Sequence, residues 1–212
     1  MFTYNPFSGE EHQPYELPGE NGRVALMVHG FPGTPAELRP LGQALHQSGW
    51  AVRGLLLPGF GPEIASLGER KAVEWLAAVD ANLAELQATA SQVLLVGYSM
   101  GGALSLLAAS RRKVDRLALL APFWRTSGWF WSSLPLFKRL FPSIRPFRLF
   151  KMDLNDPQAQ AALGKFLPGA DLSDPQVQQS IREFEFPIGV LDELRQVGRM
   201  AFRSSDQVQA PT

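Results

Sequence analysis

Five residues, Gly97-Tyr98-Ser99-Met100-Gly101, carry the clearest chemistry in this chain. A serine flanked by glycines at these spacings suits a sharp strand-to-helix turn. Such a turn forces the serine into a strained backbone conformation and is tolerated only where its neighbours are small. Ser99 would then present its hydroxyl at the C-terminal edge of a sheet, above a helix N-terminus that favours negative charge on a reacting oxygen. A second piece is His29-Gly30-Phe31-Pro32-Gly33. A loop there can aim a backbone N–H at the same point, so the expected oxyanion hole is the N–H of Phe31 plus the N–H of Met100. His29 ends the segment before that loop, and its expected role is to fix the loop by hydrogen bonding rather than to move a proton.

These pieces need a scaffold, and the periodicity supplies one. Arg23–Val28 is a nearly continuous apolar run, as in a strand buried on both faces of a parallel sheet. A helix is expected over 36–47, with Thr34 as N-cap, Pro35 at the first helical position and Gly49 as its stop. Strands over 50–57, 92–96 and 114–120 alternate with helices over 69–88 and 100–111. That alternation predicts an α/β fold: a doubly wound, mostly parallel sheet with helices on both faces. Residues 1–22 read as a turn-rich arm with at most one weak strand. No internal repeat stands out.

The character changes after Ala121. Residues 123–151 hold nine of the chain's 22 aromatics, with six basic residues and no acid. Trp124, Trp129, Phe130 and Trp131 are the candidates for lining an apolar substrate pocket. Aromatics among cations also suit an anionic membrane surface. The prolines at 135, 142 and 146 argue against a clean amphipathic helix there, and so against that contact.

Composition sets outer limits. The 212 residues are 45% apolar and have zero net charge and no cysteine. The length fits one domain or a large part of one. Absence of Cys excludes thiol catalysis, thiolate metal sites and a disulfide scaffold. Zero net charge argues against a general nucleic-acid binder. No apolar run approaches the roughly 18 residues of a membrane span, and Met1–Glu11 lacks a signal-peptide pattern, so a cytoplasmic protein is expected.

In His29–Pro35, Leu57-Pro-Gly-Phe-Gly61, Trp75 and Gly97–Gly102 the sequence resembles the α/β-hydrolase superfamily, and within it the bacterial carboxylesterases and monoacylglycerol-lipase-like enzymes. The resemblance is close over residues 23–122 and positional beyond. One departure is Phe60, where the family commonly has His. What the resemblance implies is a serine hydrolase acting on carboxylic esters through an acyl-enzyme on Ser99, without metal or organic cofactor. Its partner would be a small ester or acyl substrate. It also implies a core over 1–122, a helical lid over 123–205 and the start of a returning core segment over 206–212. The family pattern calls for a later acid and a His near the C-terminus. The only histidines here are His12, His29 and His46. The expectation is therefore a chain cut before its last core strands, whose last strand would be an apolar edge prone to self-association. Asp153, Asp156, Asp171, Asp174, Asp192 and Asp206 are expected to be caps or surface residues. Two rival readings remain: a relative or fragment without turnover, and the same nucleophile acting on thioesters or amides.

Overall fold

A computed structural model describes residues 7, 9–124, 128–145, 153–164, 171–183 and 185–211. Among the expected features, Phe147, Phe150, Arg125, Arg148 and Lys151 lie outside these residues.

A five-stranded sheet organises the chain. Its strands are β1 (Tyr15–Leu17), β2 (Arg23–Val28), β3 (Ala51–Leu55), β4 (Gln92–Tyr98) and β5 (Arg116–Leu120), in the order β1-β3-β2-β4-β5. Only β1 runs antiparallel. The central strand shows why an uninterrupted apolar run was needed. Val24, Leu26 and Val28 join the larger core, while Ala25 and Met27 join a second core on the opposite face. Helices α2 (Ala72–Thr89) and α3 (Met100–Arg111) supply the larger core. Leu45, on α1 (Arg39–Gln47), packs against the smaller one. Helices therefore cover both faces, as the alternation of elements predicts.

Two helix starts differ from expectation. Pro35–Glu37 forms a 3-10 turn, and α1 begins only at Arg39. Thr34 makes no side-chain cap; it is buried, and its Oγ1 is 2.8 Å from His12 Nδ1. A tertiary partner has taken the hydroxyl that the local pattern assigned to the helix. Likewise, Gly61–Glu69 is a 3-10 stretch and α2 begins at Ala72.

Beyond β5 the chain forms α4 (Trp129–Leu140), α5 (Pro157–Gly164), α6 (Pro175–Glu183) and α7 (Ile188–Ser204). A two-stranded ladder pairs β6 (Ser143–Ile144) with β7 (Phe186–Pro187). The sequence reading missed α4, because Pro135 lies inside it. An internal proline costs a helix about 3 kcal/mol. Packing offsets this: Leu134 is fully buried, and Lys138 is ion-paired to Asp192 of α7.

Two eight-residue segments in this region repeat, against the expectation of none. Asp153-Leu-Asn-Asp-Pro-Gln-Ala-Gln160 and Asp171-Leu-Ser-Asp-Pro-Gln-Val-Gln178 agree at six of eight positions. Each copy caps a helix in the same way. Asp156 Oδ1 accepts the Gln158 N–H (3.0 Å), and Asp174 Oδ1 accepts the Gln176 N–H (2.8 Å). Gln160 and Gln178 each donate back to the carbonyl of the repeat's leucine, at 3.0 Å. Those leucines, Leu154 and Leu172, pack with Leu163 and Ile181 as a small separate core. Eight residues are too short for a repeat to show through composition; the matching caps expose it.

β5 lies at one end of the described sheet, and its edge is partly occupied. The Leu117 N–H donates to the Pro211 carbonyl (3.0 Å), and Val208 and Ala210 pack on the larger core. Among the described residues, no helix is long and apolar enough to cross a membrane.

The repeat gives a direct test. Asp156→Ala and Asp174→Ala should each lower stability by about 1 kcal/mol, read from urea midpoints at constant slope.

Candidate active site

Ser99 sits between β4 and α3 with φ 50° and ψ −114°, a backbone conformation rare for a residue with a side chain. Three hydrogen bonds hold it there, and close glycine packing surrounds it. Its N–H donates to Leu120 O at the end of β5 (3.0 Å). Its carbonyl accepts both the Ala103 N–H (3.2 Å) and the Phe123 N–H (2.8 Å). Gly101 lies so close to the Val28 and His29 carbonyls that any β-carbon would collide with them. Gly97 faces the Gly101 carbonyl in the same way. The glycines are therefore a packing requirement, and they let the strained turn close against β2. Ser99 itself is half-buried.

The loop after β2 arrives beside it. A β-carbon at Gly30 would stand 3.2 Å from Ser99 Cβ and 3.1 Å from the Tyr98 ring, a tight fit that the bare glycine avoids. His29 anchors this loop. Its imidazole is fully buried, and Nε2 accepts the Leu57 N–H (3.1 Å). An amide can only donate, so the proton sits on Nδ1, which donates to Gly30 O (2.8 Å). Burial pushes the His29 pKa down to about 4, against the upward pull of the Gly30 carbonyl. His29 is thus a neutral strut, as its position before the loop predicts. Phe60 fills the space beside it, edge-on to both His29 (5.1 Å) and Phe31 (6.0 Å) and 5.7 Å from Trp75. Here the departure from the resemblance has a physical reading: Phe60 is apolar packing under the loop. Glu37 was missed from sequence. Its Oε2 accepts the Gly30 N–H at 2.9 Å.

Met100 is the first residue of α3, where an amide has no intrahelical acceptor. Phe31 N–H belongs to the peptide that follows Gly30. The turn thus brings Ser99, the start of α3 and Gly30 close together. No imidazole joins them. Besides His29, His12 contacts Thr34, and His46 Nδ1 is 3.3 Å from Trp50 O.

The aromatic candidates divide. Trp124 follows Phe123, whose N–H is bound to Ser99 O, and its ring meets Phe202 edge-on at 5.4 Å. Trp129 opens α4 and is 75% exposed, 6.5 Å from the Phe137 ring. Trp131 lies half-buried in the same helix. Phe130 is in α4 too, but its side chain lies outside the described set.

Of the candidate acids, Asp153, Asp156, Asp171 and Asp174 each accept a backbone N–H two residues on. Asp206 is exposed in the 3-10 turn Ser205–Gln207. Asp192 breaks the expectation of a cap or surface residue. It is buried and held by Lys138 (2.5 Å) and Arg195 (2.6 Å). Burial pushes its carboxyl pKa up, but hydrogen bonds from Lys138 and Arg195 outweigh this and leave it below the usual value. Beside it, Glu193 accepts the Ala72 N–H (3.0 Å) at the start of α2.

Comparison with known proteins bears on this arrangement. Residues 25–205 match the model of the Alpha/beta hydrolase family. A 91-residue stretch is 36% identical to the thermostable monoacylglycerol lipase of Bacillus sp. (strain H-257). That stretch is 42% of this chain and spans only 36% of the relative. In structure, the chain is similar to one from work on LipS and LipT, two metagenome-derived lipolytic enzymes. There the TM-score is 0.70 at 20% identity, over 95% of this chain and 74% of the other. The monoacylglycerol lipase of Paleococcus ferrophilus follows with a TM-score of 0.63 at 16% identity, covering 94% and 74%.

The buried imidazole predicts a pH signature. Unfolded His29 titrates near 6.5 and the folded one near 4, so in between the unfolded chain binds the extra proton. This contribution is complete above about pH 7 and is lost as pH falls from 6.5 to 4, by roughly 3 kcal/mol. Urea unfolding at pH 7 and pH 4 should show a smaller drop, by about that amount, in His29→Asn.

Proposed function

We propose, from the premise that the chain belongs to the alpha/beta-hydrolase family, that it serves the hydrolysis of carboxylic esters through an acyl-enzyme on Ser99. The observation that carries this is the convergence on one point of the left-handed Ser99 turn, the start of α3 and the glycine loop at Gly30. In the first step Ser99 Oγ forms a bond to the ester carbonyl carbon while its proton passes to water or to an external base such as imidazole. The carbonyl oxygen becomes an oxyanion, which the Met100 and Phe31 N–H groups receive. The tetrahedral species then expels the alcohol, and water releases the acid from Ser99. The favourable end of α3 lies under the developing charge. Residues 1–122 act as the catalytic core and 123–205 as its cover. Trp124, Trp129, Phe130 and Trp131 offer the apolar contact that an acyl chain needs.

A second reading has its own observation. Each of the three histidines is bonded to a group other than Ser99: His12 to Thr34, His29 to Leu57 and Gly30, and His46 to Trp50. On that reading the 212 residues keep a binding surface without efficient turnover. A serine without its base retains only what the oxyanion donors and binding supply, about 10³–10⁴ over water.

Hydrolysis of p-nitrophenyl butyrate, with and without added imidazole as external base, separates the two. The ester-hydrolase reading expects measurable turnover, stimulated by imidazole and lost in Ser99→Ala. Equal rates in Ser99→Ala and the unsubstituted protein would remove Ser99 as nucleophile.

A further inference from the structure

Gly30 is held through both of its peptide bonds. Its carbonyl accepts His29 Nδ1–H (2.8 Å) and the Gly33 N–H (3.1 Å). On the other side, its N–H donates to Glu37 Oε2 (2.9 Å). The Gly30 carbonyl and the Phe31 N–H share one planar peptide, which His29 and Gly33 hold, while Glu37 holds the preceding His29–Gly30 peptide; together the contacts fix Gly30 from both sides and so set the direction of the Phe31 N–H. Glu37 reaches back seven residues to make its contact, and the loop is shaped to let it through. A β-carbon at Gly33 would run into the Glu37 carboxyl. The base of this reach is fixed as well. The Glu37 N–H donates to Thr34 O (3.1 Å), and the buried Thr34 is bonded to His12.

The Glu37 residue is exposed overall, with its contact to Gly30 part-buried; partial desolvation pushes its pKa up, while the Gly30 N–H pulls the other way. Among the described residues it has no ion-pair partner. The group it binds stands against Ser99.

We propose that Glu37 is a positioning residue: its carboxylate holds the Gly30 N–H so that the adjoining Phe31 N–H faces the oxygen that becomes negative at Ser99. The proposal rests on the reading of Phe31 as an oxyanion donor. Glu37 touches no substrate; it acts through the loop. The oxyanion exists only in the transition state, so loss of the anchor falls on kcat and leaves KM nearly unchanged.

Kinetics of p-nitrophenyl butyrate hydrolysis by the purified protein test this. Glu37→Ala should lower kcat by about 10- to 100-fold with KM within about two-fold, the scale of a displacement near 1 Å. Glu37→Gln keeps an oxygen that accepts the Gly30 N–H, and should restore most of kcat. Gly33→Ala supplies an independent handle. It pushes the flexible end of Glu37 off the loop while the residue stays in the chain. It should reproduce the Glu37→Ala loss, and the double variant should be no worse than either single one. A loss confined to KM, a Gln variant as poor as Ala, or full activity in Glu37→Ala overturns the proposal. If Ser99→Ala hydrolyses as fast as the unsubstituted protein, the serine reading has failed instead. Hydrogen exchange then still decides the anchor: Gly30 and Phe31 amides that exchange no faster in Glu37→Ala refute it.

Discussion

The left-handed backbone at Ser99 is the constraint on which the rest of the structure depends. A side-chain-bearing residue at φ 50° is held there only if its surroundings over-determine it. Here the determination comes from three directions. β5 supplies the Leu120 carbonyl, the segment after β5 supplies the Phe123 N–H, and α3 supplies the Ala103 N–H. Gly97 and Gly101 then allow the turn to close against β2. Removing β5 would strip two of these contacts, although β5 contributes no side chain to the site. The sheet order β2-β4-β5 is thus a requirement of the turn as much as of the core.

A second theme is how polar groups are carried into the interior. His29 enters fully buried but neutral, with both ring nitrogens engaged. The adjacent acids of α7, Asp192 and Glu193, face different ways. Asp192 meets Lys138 of α4 and Arg195 of its own helix. Glu193 meets the first amide of α2 and the side chain of Lys71 (3.4 Å). One turn of α7 therefore ties the segment after β5 to the sheet-packing helices. Buried pairs of this kind add little net stability, but breaking one leaves a stranded charge. Their effect is to specify where α4 and α2 lie relative to α7.

The aromatic segment illustrates the limit of local patterns. Its enrichment is plain in composition, and it points to an apolar surface. Whether a given ring is core or exposed depends on neighbours far along the chain. Trp124 meets Phe202 across 78 positions, whereas Trp129 is largely exposed on α4. Pro135 suggested a break, yet the helix passes through it, because Leu134 and Lys138 on either side have tertiary partners.

The sequence by itself determined the α/β architecture, the two-faced burial of Arg23–Val28 and the turn at Ser99. Each follows from short-range physics: strand and helix periods, and glycines wherever a β-carbon cannot fit. It also determined that no histidine follows Ser99. Only the tertiary structure decided that Thr34 serves His12 rather than a helix end, and that Glu37 holds Gly30. The same is true of Asp192 and Glu193, which face inward. It made His29 a neutral strut and paired the two eight-residue repeats around one small core. The physical reason is common to all of these. A polar side chain's role is set by the partner that burial leaves it, and that partner comes from whichever segment packs against it.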